Sequence, residues 1–166
     1  MQVTEKHLRY FKNHEFVREG RNWLPMYNPR LLILLDVFRH LTGPCILSPH
    51  PFALGRMSYP KRPGTLHRYD AEEGVRAIDV FPTLKPKHIS ISKDDEMWDD
   101  VYMWAIAEEW IYQADKIGFT GIGFYPQWTL HGEQRPGLHL DIRESPYQWG
   151  WVDGKQVPIE QALETL

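Results

Sequence analysis

The chain has 166 residues, 42% of them hydrophobic and 25% charged, which fits one domain with an ordinary core and excludes an intrinsically disordered segment. A net charge of −3 offers no electrostatic reason to bind nucleic acid or an anionic membrane. The single cysteine, Cys45, excludes an internal disulfide and a cysteine-based zinc knuckle, so any bound metal must be held by His, Asp or Glu.

The first residues, MQVTEKHLRY, are too charged for a signal peptide, and no apolar run is long enough to span a bilayer. The chain is therefore expected to be cytoplasmic as synthesised, with no insertion into a membrane. Thr4 is placed to cap a short helix through Phe11. NPRLLILLDVFRHLTG carries a full set of helix signals: Asn28 as N-cap, Pro29 at the first helical position and Gly43 just past the end. Leu31, Leu34, Leu35, Phe38 and Leu41 recur at helical spacing and predict its buried face. CILS reads as a short strand, and the Pro- and Gly-dense stretch from Pro49 to Gly64 as a long irregular loop. RAIDVFP is a strand, and HISIS a possible second one. A long helix is predicted from about Asp94 to Ile117, with Trp98, Tyr102, Ala105, Trp110 and Ile111 facing inward. Asp94, Asp95 and Glu96 suit the positive end of its dipole. GFTGIGFYP is followed by the strand GLHLDIR and a Trp-rich tail containing YQWGW. Helices and strands interleave without a regular βαβ repeat, so the predicted class is α+β.

In GVRAIDVFPTL an aspartate, Asp79, sits inside an apolar run. Burying a carboxylate is costly unless something compensates it. A salt bridge to Arg76, a backbone-capping role and a metal ion are the three ways to do so. GLHLDIR bears on the choice. Residues two apart in a strand share a face, so His139 and Asp141 lie on one side and Leu138, Leu140 and Ile142 on the core side. Asp141 then either meets Arg143, faces solvent or works beside His139. With His67 at the end of the irregular loop, His67, Asp79 and His139 make a set able to hold zinc with a fourth position left for water. His50, in the same irregular region, competes with His67 for the first ligand position. His50 and His131 read otherwise as polar loop residues. Tyr125 is read as a packing residue with a hydroxyl that could stabilise an oxyanion. Trp128, Trp149 and Trp151 among the seven Trp either bury area or line a groove for sugar or peptide.

The ordered set HEF (His14 to Phe16), NPRLLILL, LH (Leu66-His67), GVRAIDVFP, GIGFYP and GLHLDIR resembles the zinc D-alanyl-D-alanine carboxypeptidase family of peptidoglycan peptidases, which includes phage endolysins and shares the hedgehog fold. The resemblance runs from about residue 7 to 145 and implies a single domain over 1–166, with a small central antiparallel sheet flanked by helices. It implies His67, Asp79 and His139 as ligands of a zinc ion.

This chain departs from the family pattern at three points. His67 stands twelve residues before Asp79, a wider gap than the family's, which Tyr69 to Glu73 would fill as a loop insertion. Ser48-Pro49-His50-Pro51 lacks the arginine that holds a substrate carboxylate. Pro136 stands where many relatives carry an acid, which leaves Glu133 and Asp141 as the candidate catalytic acids. Glu133 is expected to reach inward from a flexible loop as general base, and Asp141 to orient a ligand imidazole. The activity implied is zinc-dependent hydrolysis of a peptide bond in peptidoglycan stem peptides by a monomeric enzyme, such as a phage lysis enzyme or virion component. The alternative is a catalytically silent member of the same fold that serves as a structural or wall-binding module.

Overall fold

A computed structural model describes residues 3–50, 65–69, 72–83 and 96–166, the side chains of the last span from residue 103 onward. The expected strand HISIS, most of the Pro49–Gly64 loop, and Asp94 and Asp95 lie outside the described residues. So do the side chains of Glu96, Trp98 and Tyr102.

The first helix, α1 (Pro29–Thr42), forms where its signals place it. The Asn28 side chain accepts a hydrogen bond from the Arg30 amide at 2.9 Å, and Gly43 ends the helix at φ 90°. Its buried stripe is Leu31, Leu32, Leu35 and Phe38; Leu34 is half-buried and Leu41 is exposed. The stripe follows the i, i+4, i+7 row from Leu31 towards Thr42, which turns Leu41 aside. The predicted N-terminal helix is only a single 3-10 turn, Glu5–His7, capped at Thr4. The long helix α2 spans Glu96–Ile117 and buries Ala107, Trp110, Ile111 and Ala114. Ala105, expected inward, is exposed. It stands two residues from Ala107, about 200° around the helix.

Two short strands, β1 (Val17–Arg18) and β2 (Arg21–Asn22), form a separate hairpin. The main sheet has six strands: β3 (Cys45–Leu47), β4 (Ala77–Pro82), β5 (Gly121–Leu130), β6 (Glu133–Asp141), β7 (Tyr147–Val152) and β8 (Lys155–Val157). Their order is β3-β4-β6-β5-β7-β8. The expected antiparallel sheet is in fact mixed, because β5 and β7 pair in parallel, Gly121 opposite Tyr147 and Gly123 opposite Trp149. A short helix, α3 (Ile159–Leu163), closes the chain. The fold is thus α+β, with three α-helices and an open mixed sheet among the described residues.

Alternation along the strands decides what each sheet face does. Ile78, Val80, Ile122, Phe124, Leu138 and Leu140 are all at most 1% exposed and join one core with buried residues of all three helices. The opposite parity puts Asp79, Gly121, Gly123, Gly137, His139, Asp141 and Trp149 on the other face. One sheet therefore anchors the fold with one face and presents polar chemistry with the other.

A candidate metal centre

Register sets the first pair. Asp79 and His139 are direct partners across the antiparallel β4–β6 ladder, and Ala77 faces Asp141 one step along the same face. Directly opposed residues hold their Cβ atoms about 5 Å apart, close enough for a short carboxylate and an imidazole to touch. His139 Nδ1 lies 2.9 Å from Asp79 Oδ1. His67 is brought in by the segment that precedes β4, which is tied down where the Arg76 amide donates to the Leu66 carbonyl at 2.8 Å. His67 Nε2 then lies 3.3 Å from His139 Nδ1 and 3.5 Å from Asp79 Oδ1.

Three donor atoms thus form a triangle with sides of 2.9, 3.3 and 3.5 Å. Ligands about 2.0–2.1 Å from one zinc at tetrahedral angles are themselves about 3.3–3.4 Å apart. Two sides match that spacing, and the third is drawn in by the hydrogen bond between His139 and Asp79. Two imidazoles and a carboxylate also suit the chemical preference of zinc. These are the three residues expected from the sequence, and among the described residues they are the only such His/Asp/Glu/Cys group. His50 is not part of it; its amide donates to the Ser48 hydroxyl.

The second nitrogen of His139 is equally committed. Nε2 lies 3.0 Å from Asp141 Oδ2, so Nε2–H donates there, and a metal ion at the cluster would replace the proton that Nδ1 donates to Asp79. Asp141, fully buried, is gripped by Arg143: Nε donates to both carboxylate oxygens at 2.9 and 3.1 Å, Nη2 donates to Oδ2, and the backbone amide adds a bond of 3.2 Å. Arg143 also lies over the Trp149 ring at 4.8 Å. Asp141 is therefore the partner of Arg143, as one sequence reading had it, and it also holds the His139 imidazole by a hydrogen bond.

The charges follow from this packing. Burial pushes the Asp79 carboxyl up, but the charge of His67 and the hydrogen bond to His139 outweigh it and hold Asp79 below the usual carboxylate range. Burial lowers His139, yet its bonds to Asp141 and Asp79 carry it up to about 9. For Asp141, burial is outweighed by Arg143 and then His139, and the carboxyl falls to about 2. Asp79 does not use Arg76 as its counter-ion; that guanidinium reaches Glu73 at 2.9 Å. Two imidazoles, not the Arg76 guanidinium, compensate the buried aspartate.

Glu133 is not where the sequence reading put it. His131 and Gly132, at φ 51° and 88°, make a two-residue hairpin turn between β5 and β6, and Glu133 opens β6 paired with Leu130. It is exposed and six residues from His139, about 20 Å along an extended strand. Its side chain cannot reach the cluster.

The structure adds residues that the sequence reading missed. A Cβ at Gly121 would fall 2.0 Å from Asp141 Oδ1, and one at Gly123 would fall 2.5 Å from the Trp149 ring. Both glycines are cradles, and their spacing of two within an apolar strand was the available signal. The Tyr27 hydroxyl is buried without a hydrogen-bond partner among the described residues, and burial followed by the charge of Asp79 raises its pKa well above the ordinary value.

No protein-family model, curated protein or solved structure matches this chain. Among the described residues, no helix is long and apolar enough to cross a membrane.

Proposed function

We propose that this protein is a zinc-dependent peptidase of the D-alanyl-D-alanine carboxypeptidase type, with a hedgehog-like fold, that cleaves a peptide bond in peptidoglycan stem peptides. The observation that carries the proposal is the convergence of His67 Nε2, Asp79 Oδ1 and His139 Nδ1 on one face of the sheet. The ordered motifs that resemble that family supply the substrate class. Zinc at such a site supplies an acidified water and a polarised carbonyl. The chain does the positioning: β4 and β6 fix two ligands by register, Asp141 holds the His139 tautomer, and Arg143 holds Asp141.

A second reading is favoured by a specific observation. Glu133 is out of reach, and the Asp141 carboxylate is fully buried and already bonded to His139 and Arg143. Neither expected acid is placed to take a proton from water, which suits a metal-binding but silent member of the fold. Elemental analysis of protein purified without chelator, followed by digestion of purified peptidoglycan, separates the readings. About one zinc per chain with release of free amino groups from stem peptides supports the peptidase. Zinc without release from any peptidoglycan chemotype leaves the silent module, and absence of zinc defeats both.

A further inference from the structure

Beyond the metal cluster, the same face of the sheet carries a train of aromatic rings. Trp149 lies 5.3 Å from the His139 ring and stacks on Tyr147 at 5.6 Å. Two residues further along β7, Trp151 lies nearly parallel to Tyr125 at 6.3 Å, and Tyr125 stacks on Trp128 at 4.2 Å and 25°. The last stack should not exist in a regular strand, where residues three apart point to opposite faces. A bulge makes it possible. Tyr125 pairs with Gly137 and Trp128 with Arg135, so β5 spends three steps where β6 spends two, and both rings emerge on the face of His139. Gly137 completes the arrangement, since a Cβ there would fall 2.8 Å from the Trp128 ring and 3.1 Å from Phe81. Trp128 thus occupies the space that a side chain at Gly137 would need. Trp151 is 40% exposed, while Tyr125 and Trp128 are half-buried.

We infer that Trp128, Tyr125 and Trp151 form a saccharide-binding platform that takes a pyranose ring of the glycan strand beside the metal centre. This rests on the peptidoglycan reading for the identity of the sugar. A pyranose presents a flat C–H face that packs on an aromatic ring and a girdle of polar groups around it. The exposed ring of Trp151 offers the first match, backed by Tyr125 and by Trp128 stacked on Tyr125. Gln156, paired with Trp151 and exposed, and Arg135, paired with Trp128, offer hydrogen-bonding groups at the rim. Trp151 also stands two residues from Trp149 on the same face of β7, and Trp149 lies against the candidate ligand His139. A sugar on the platform would therefore leave its attached stem peptide within reach of the cluster.

The probe is a soluble oligomer of N-acetylglucosamine titrated calorimetrically into the 166-residue chain, once with zinc and once with chelator. Binding in both conditions is expected. Trp151→Ala should weaken it about tenfold or more, Trp151→Phe should largely restore it, and Trp104→Ala, at an exposed Trp on α2, should leave it unchanged. The platform is overturned if the unaltered protein does not bind the oligomer, if Trp151→Ala binds equally well, or if a sugar-free stem peptide competes for the same site. Because binding is read without turnover, an inactive protein that still binds the oligomer defeats only the peptidase reading. An active protein that does not bind it defeats only the platform.

Discussion

Gly121 and Asp141 face each other across the β5–β6 ladder, and the carboxylate of one occupies the space where the other has no side chain. A methyl group at Gly121 would overlap both carboxylate oxygens, at 2.0 and 2.3 Å. Asp141 would have to move, and with it the hydrogen bond that fixes the His139 tautomer. Gly121→Ala should therefore weaken zinc binding by about tenfold to a hundredfold although no ligand is touched. Competition with a chromophoric chelator measures this. Unchanged affinity would show that Asp141 does not orient the metal ligand.

Asp141→Asn tests the same link from the other side. The amide can still pack, but it carries no charge to hold His139 or to answer Arg143. The expected loss of zinc affinity is again about tenfold to a hundredfold, whereas His139→Ala should abolish stoichiometric binding. The variant also leaves a buried guanidinium contact without its counter-charge, so thermal stability should fall even with chelator present. A variant with native stability and native affinity would contradict the role given to Asp141.

The meeting of Asp79 and His139 was legible in part because strand alternation is a strict rule. Once GLHLDIR is a strand, His139 and Asp141 must share a face, and Asp79 and His139 turn out to be direct partners. The capping residues of α1 were legible for a similar reason, since Asn28, Pro29 and Gly43 act locally. Long-range pairing was not. Nothing local to YQWGW says that β7 will lie parallel to β5, although Pro126 was an available signal for the bulge between Tyr125 and Trp128. The inward face of α2 was blurred because Trp104 and Tyr112 are exposed large rings on the same helix. Tight hairpins more often carry Asn or Asp before the glycine, so His131-Gly132 gives little sign of its turn in the sequence. That turn makes Glu133 the first residue of a strand instead of part of a loop able to fold inward.

Glu133→Gln follows directly. An exposed residue at the first position of β6, about 20 Å from His139 along the strand, should leave zinc content, stability and any peptidoglycan digestion as they are. Loss of digestion in this variant, with zinc still bound, would mean that Glu133 reaches the reacting groups after all, contrary to its place in the hairpin.

The pH dependence of stability should change sign of slope with metal. In the metal-free chain His139 is raised from its ordinary value to about 9, so the stabilisation it gives is full below about 6.5 and is lost as pH rises through about 9. Asp141, lowered to about 2, contributes stability that is full above about 4 and is lost as pH falls towards 2, and Asp79 acts in the same direction. Chelated protein should therefore melt at its highest temperature between about pH 4 and 6.5 and lose stability steadily towards pH 9.5. Zinc reverses the alkaline limb, because it competes with the proton for His139 Nδ1 and binds more tightly as pH rises. Thermal melts at pH 6 and pH 9 with and without zinc give the comparison. The shift in Tm produced by zinc should be larger at pH 9. An equal or smaller shift there would show that His139 is not protonated in competition with the metal.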